Sequence, residues 1–197
     1  MPIQEIAEYL ASVDMLRQVE MLLALHCAPI ISGIKVSNLV VLTREQSMVL
    51  CRNIRPSGLD VWFLNYAEDS NPALIFRKDD MQKYLRRSDI QEALGRFGYS
   101  DFQLIPVLLQ LSSHMRAYKA EEGAFPHELG ILLGYPLEDV LGFMENDGEN
   151  YAYCGYWKVY GDIEKAKKVF DAYNEVRNLA VTQVLRGSGV MRKGDNG

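Results

Sequence analysis

Two short runs constrain the fold of this chain more than any other feature. Val61-Trp62-Phe63-Leu64 and Ala73-Leu74-Ile75-Phe76 are apolar at every position. A strand with one wet face alternates apolar and polar residues, so a run that does not alternate needs cover on both faces. Glu68-Asp69-Ser70-Asn71 lies between the runs and is turn-forming, which predicts a pair of central strands over residues 59–66 and 72–77. Short β-rich pieces are expected at 30–34, around Gly33, and at 38–42.

The remaining sequence carries helical signals. Gln4 to Leu10 reads as a short helix, and Ser12 offers a cap for a second one through Leu25, stopped by Pro29. Thr43 with Gln46, and Ser88 with Gln91, have capping-box spacing. Leu104, Leu108, Leu111, Met115 and Tyr118 form one face of a helix over 101–119. Ala166, Val169, Phe170, Tyr173, Val176 and Ala180 do the same for a last helix from Asp162 to about Leu185. The expected architecture is a single α+β domain over residues 1–186, a small and largely antiparallel sheet packed by about seven or eight helices. From Gly187 the glycines and charges of GSGVMRKGDNG bury little apolar surface, which predicts a disordered tail over 187–197.

Charge narrows the function classes. The net charge of −5 opposes a nucleic-acid surface, which needs a basic face. No stretch approaches the roughly 20 apolar residues of a membrane span. Glu5 and Glu8 stand where a secretory leader would be basic. The three cysteines, Cys27, Cys51 and Cys154, are widely spaced and form no CxxC pair, so free thiols in a reducing cytoplasm are expected. Cys51, on an amphipathic helix, reads as a small core residue. Phosphate-binding loops and the GxSxG elbow are absent from the sequence.

Three segments gather reactive residue types: His26-Cys27-Ala28-Pro29 with Gly33-Ile34-Lys35, then Phe125-Pro126-His127-Glu128, then Cys154-Gly155-Tyr156-Trp157-Lys158-Val159-Tyr160-Gly161. The strings HCAP…GIK…NL, FPHELGILLGYPLEDVLGF and CGYWKVYGD resemble the bacterial family catalogued as domain of unknown function 3793, whose members are chiefly anaerobic Firmicutes. The resemblance spans nearly the whole chain. It implies a bacterial cytosolic protein and supplies no substrate, cofactor or catalytic residue, so the residues are read on their own chemistry.

Cys27 as nucleophile with His127 as base would make a cysteine-dependent hydrolase or transferase. Against that, Cys27 falls at the C-terminal end of its predicted helix, where the dipole disfavours a thiolate. Pro126 suits a first helical position and sets His127 and Glu128 in an opening turn, where a neutral imidazole can ligate, accept or donate. Ile131 occupies the place of the second histidine of HExxH, which excludes that metalloprotease helix. His127 with Cys27 or Cys154 leaves a two-residue metal site open. Aromatic rings around Lys158 can stack on a ligand or pack on the core.

Residues 126–146 have the shape of a helix-turn-helix, but the second helix carries Glu138, Asp139 and Glu145 and no basic residue, so DNA binding is not expected. The favoured expectation is a pocket binding a small molecule or metal. In it His26, Cys27, Lys35, His127, Glu128 and Lys158 supply polar contacts, and Tyr156 and Trp157 an apolar wall. A homodimer through the helix over 162–185 is the third reading.

Overall fold

The computed structural model describes residues 3–67 and 69–191. Its described residues form nine α-helices, a three-stranded and a two-stranded antiparallel sheet, an α+β fold. The chain folds as two compact units, one from Met1–Lys78 with Tyr173–Gly197 and the other from Asp79–Ala172.

The first unit holds α1 (Ile3–Ser12), α2 (Met15–Ile31), β1 (Ser37–Leu42), α3 (Arg44–Asn53), β2 (Asp60–Phe63) and β3 (Asn71–Phe76). Strand order is β1-β3-β2, with Ser37 and Asp60 both opposite Phe76. The run Ala73–Phe76 is thus central, and each of its four side chains is buried. β2 is an edge strand, and its expected two-sided cover is only partial. Helix cover for the sheet comes from α2, where Val19, Leu23 and Cys27 join Ile75 of β3, Val181 and Val184 in one apolar core.

α2 departs from the expectation at both ends. Asp14, not Ser12, is the cap, accepting from the Arg17 amide at 2.9 Å. Pro29 sits inside the last turn, and the helix runs on to Ile31. A proline so near a C-terminus removes one ladder bond without stopping the last residues. The Pro29 carbonyl then accepts from the Ile34 and Lys35 amides, and Gly33 turns the chain at φ 73°. Residues 30–34 are therefore a helix end and turn, not a strand. α3 carries the expected Thr43–Gln46 capping box with both hydrogen bonds made. Cys51 on that helix is exposed, which corrects its reading as a core residue. Of the tail expected to be disordered, residues 192–197 lie outside the described residues. Val190 and Met191 are buried in the core of this unit, and Gly189 lies against the Glu20 carboxylate.

The second unit runs through α4 (Lys78–Leu85), α5 (Ser88–Gly95), α6 (Leu104–Lys119), α7 (Glu128–Leu132), α8 (Leu137–Glu145), β4 (Tyr153–Cys154) and β5 (Lys158–Val159). α9 (Ile163–Leu185) begins in it, its first turn capped by Asp162, and ends in the first unit. Ser88 makes no cap; Arg87 holds the N-cap position of α5 without a side-chain bond. Gly134, at φ 74°, separates α7 from α8, and Gly130 lets α7 approach Val140 of α8. Gly155 lies directly against the ring of Phe170, so the β4–β5 loop is held flat on α9. Two residues of GYWKVYG are thus spacers: Gly161 lies as closely against Glu138.

Candidate functional site

His26, Cys27 and Lys35 belong to the first unit, whereas His127, Glu128, Tyr156, Trp157 and Lys158 belong to the second. Each set has its own geometry.

In the first unit the HCAP and GIK segments are knotted together by Asn38. Its amide donates to the His26 carbonyl at 2.6 Å, and its oxygen accepts from Lys35 Nζ at 2.7 Å. Lys35 Nζ also donates to the Ser37 carbonyl at 2.7 Å. Enclosure of this ammonium lowers its pKa to about 7, with the Cys27 thiol acting weakly the other way. Cys27 has no exposed surface, and burial pushes its thiol up to about 12. A nucleophilic cysteine needs a depressed pKa and access, so neither condition of the hydrolase reading is supported here. His26 is exposed, and partial enclosure with the Arg177 charge holds its imidazole below the ordinary value.

In the second unit, His127 and the GYWK segment meet at a cavity of about 200 Å³. Its aromatic walls are Phe125, Tyr135, Phe143 and Trp157, with Leu129, Leu133 and Val140 between them. Tyr135 stacks on Trp157 with centroids 5.1 Å apart, and Phe170 meets the other side of Trp157 edge-on at 4.5 Å. His127 sits between Phe125, at 5.4 Å, and Phe143, at 5.7 Å. Lys158 Nζ lies 5.7 Å from the Phe143 centroid and 4.8 Å from that of Tyr151, and donates to the Gly148 carbonyl.

Asp139 organises this wall. Its Oδ2 accepts from Trp157 Nε1 at 2.6 Å, and its Oδ1 from the Tyr160 and Gly161 amides at 2.7 and 2.9 Å. The residue is buried, so its charge is carried by three donors instead of water. The sequence reading set Asp139 on an exposed acidic helix face; the structure turns it inward. Glu138 and Glu145 do remain exposed on α8.

Glu128 and Tyr156 are not in the cavity wall. Glu128 is buried and turned toward α6, where Tyr99 donates to its Oε1 at 3.3 Å and His114 Nδ1 lies 2.6 Å from the same atom. Burial and the Glu128 charge raise the Tyr99 hydroxyl's pKa. Tyr156 packs on Phe170 at 5.5 Å. The sequence reading missed Tyr135, Phe143 and Asp139 as site residues. Only the length of the FPHELGILLGYPLEDVLGF string marked the region.

Among the described residues no group of three or more His, Cys, Asp or Glu side chains is placed to hold a metal ion. No helix among them is long and apolar enough to cross a membrane. Residues 23–192 match a family model described as "Protein of unknown function (DUF3793)". No curated protein matches the chain, and no solved structure does.

Proposed function

Since the chain belongs to the DUF3793 family, whose description carries no activity, we propose from its residues that it is a cytoplasmic bacterial protein binding a small, largely apolar molecule between α7, α8 and the β4–β5 segment. One observation carries this reading. The cavity has aromatic walls, yet two polar side chains on it, His127 and Lys158, have no carboxylate partner among the described residues. Apolar walls with a few convergent polar groups are what a small-ligand site requires. About 200 Å³ exceeds the roughly 150 Å³ apolar cavity known to take up benzene. A cytoplasmic location is supported by the three unpaired thiols, two of them exposed. A metal role has less support, because no group of three or more His, Cys, Asp or Glu side chains among the described residues is placed to hold an ion.

The test uses the full chain with Trp62→Phe, which leaves Trp157 as its only tryptophan. A panel of small ring compounds, neutral, cationic and anionic, is titrated while Trp157 emission and unfolding temperature are followed. A ligand at a hundredfold its Kd should add about 2.7 kcal/mol of stability. Leu133→Phe, which narrows the cavity, should abolish the response. The reading fails if no compound of any charge shifts either signal.

A further inference from the structure

Resting on that binding reading, we infer that the cavity selects a planar monocarboxylate: one or two fused rings held among Phe125, Phe143 and Trp157, with the carboxylate at Lys158 and His127.

The spare donors of the wall lead to this class. Asp139 is the cavity's one acidic residue, and its two oxygens are already taken by Trp157, Tyr160 and Gly161. Three of its roughly four acceptor sites are therefore engaged, and its charge is solvated by these N–H donors. Lys158 has three N–H donors. One goes to the Gly148 carbonyl, and the charge rests over the rings of Tyr151 and Phe143. Asp147 and Glu149 flank Gly148 but are exposed, and neither forms an ion pair with Lys158. The imidazole of His127 has ring contacts on two sides and no hydrogen bond to a described residue. Both polar groups lie 5.7 Å from the centroid of Phe143, and both line the cavity.

Other ligand classes fit less well. An aromatic-walled site can hold an organic cation, but here an ammonium already occupies the faces of Tyr151 and Phe143 and would repel a second. A wholly apolar ligand would strip water from Lys158 and His127 without replacing its hydrogen bonds. A phosphate or dicarboxylate asks for more positive charge than one lysine supplies, and the wall has no arginine. A single carboxylate matches the donors present. The volume limits the remainder to a small ring system.

The experiment is calorimetric titration of the full chain with benzoate and 2-naphthoate, each against its neutral amide, benzamide and 2-naphthamide. At least one acid should bind tenfold or more tightly than its amide, and only the acid's affinity should fall as salt is raised. Lys158→Met should close the gap between acid and amide, and Lys158→Arg should keep it, which separates charge from folding. Equal binding of acid and amide overturns the inference and leaves the binding reading standing. So does response in the wider panel to neutral or cationic compounds only. Silence of the whole panel overturns both.

Discussion

Asp139→Asn tests the hub on which the site stands. The substitution preserves shape but replaces one carboxylate oxygen by a donor. With its remaining oxygen turned to the Tyr160 and Gly161 amides, the new amide faces Trp157 Nε1–H, donor against donor. One charge-assisted bond is lost and two buried donors, the indole N–H and the new amide N–H, are left facing each other, a combined cost of about 3 kcal/mol. Trp157→Phe alone removes that donor and some ring contact with Tyr135 and Phe170, about 2 kcal/mol. If the two residues acted independently, the double variant would lose about 5 kcal/mol by addition. The structure says otherwise, because Phe takes away the donor that Asn cannot accept. The double variant should lose only about 3 kcal/mol, a coupling of roughly 2 kcal/mol. Urea unfolding of all four proteins, followed by far-UV circular dichroism, measures this, provided the slopes agree between variants. Additivity to within about 0.5 kcal/mol would mean that the Trp157–Asp139 bond does not hold the wall.

The remaining predictions concern the thiols and the enclosed lysine. Under native conditions at neutral pH, iodoacetamide should label Cys51 and Cys154, which are exposed, and reach Cys27 only after unfolding; intact-mass analysis counts the adducts, and rapid loss of the Cys27 thiol would revive the nucleophile. Stability should also follow pH through the enclosed pair. The folded pKa of Lys35 is lowered to about 7, so above that pH the unfolded chain binds more protons and stability rises, by at most about 2 kcal/mol up to pH 8.5. The thiol of Cys27 is shifted the other way, up to about 12, so from about pH 9 its contribution offsets the continuing gain from Lys35, and net stability levels off and falls only above about pH 10.5, where the unfolded lysine has also lost its proton. Urea midpoints across this range should pass through a maximum, and Lys35→Met should remove its rising side. A flat profile that the substitution leaves unchanged would show that the ammonium is not enclosed.

What was legible in the sequence was local. The Thr43–Gln46 box spans four residues and involves only their own backbone, so spacing predicts it. Ala73–Phe76 announces a central strand because burial on both faces leaves no polar position to mark a side. Val61–Leu64 carries the same pattern and yet ends on an edge, since strand order is decided by which partner arrives from elsewhere: β1 takes the other side of β3. Cys51 illustrates a similar limit. α3 is ten residues long and has only Ser47 and Leu50 buried, too short a stripe to fix which face turns inward. His114 and Glu128 lie fourteen residues apart, and no spacing rule relates an α6 imidazole to an α7 carboxylate.

Asp139 shows why the site itself was the hardest part to read. In a helix pattern an aspartate reads as surface, and burying one without partners is so costly that this is the sound default. What reverses the default here is a set of donors eighteen to twenty-two residues further on. Those donors are Trp157, Tyr160 and Gly161, three residues of CGYWKVYGD, and Asp139 is the last of the three acids of FPHELGILLGYPLEDVLGF. The two strings are therefore one structural object, closed by a single carboxylate. The aromatic segment was read as either packing or stacking, and its neighbours divide the roles. Tyr156 packs on Phe170, while the indole next to it is fixed by Asp139 and turned to the cavity. With the oxygens of Asp139 engaged in holding the wall, the spare donors of Lys158 and the imidazole of His127 are the polar groups left to a ligand, and it is this division of labour that makes the cavity ask for an acid.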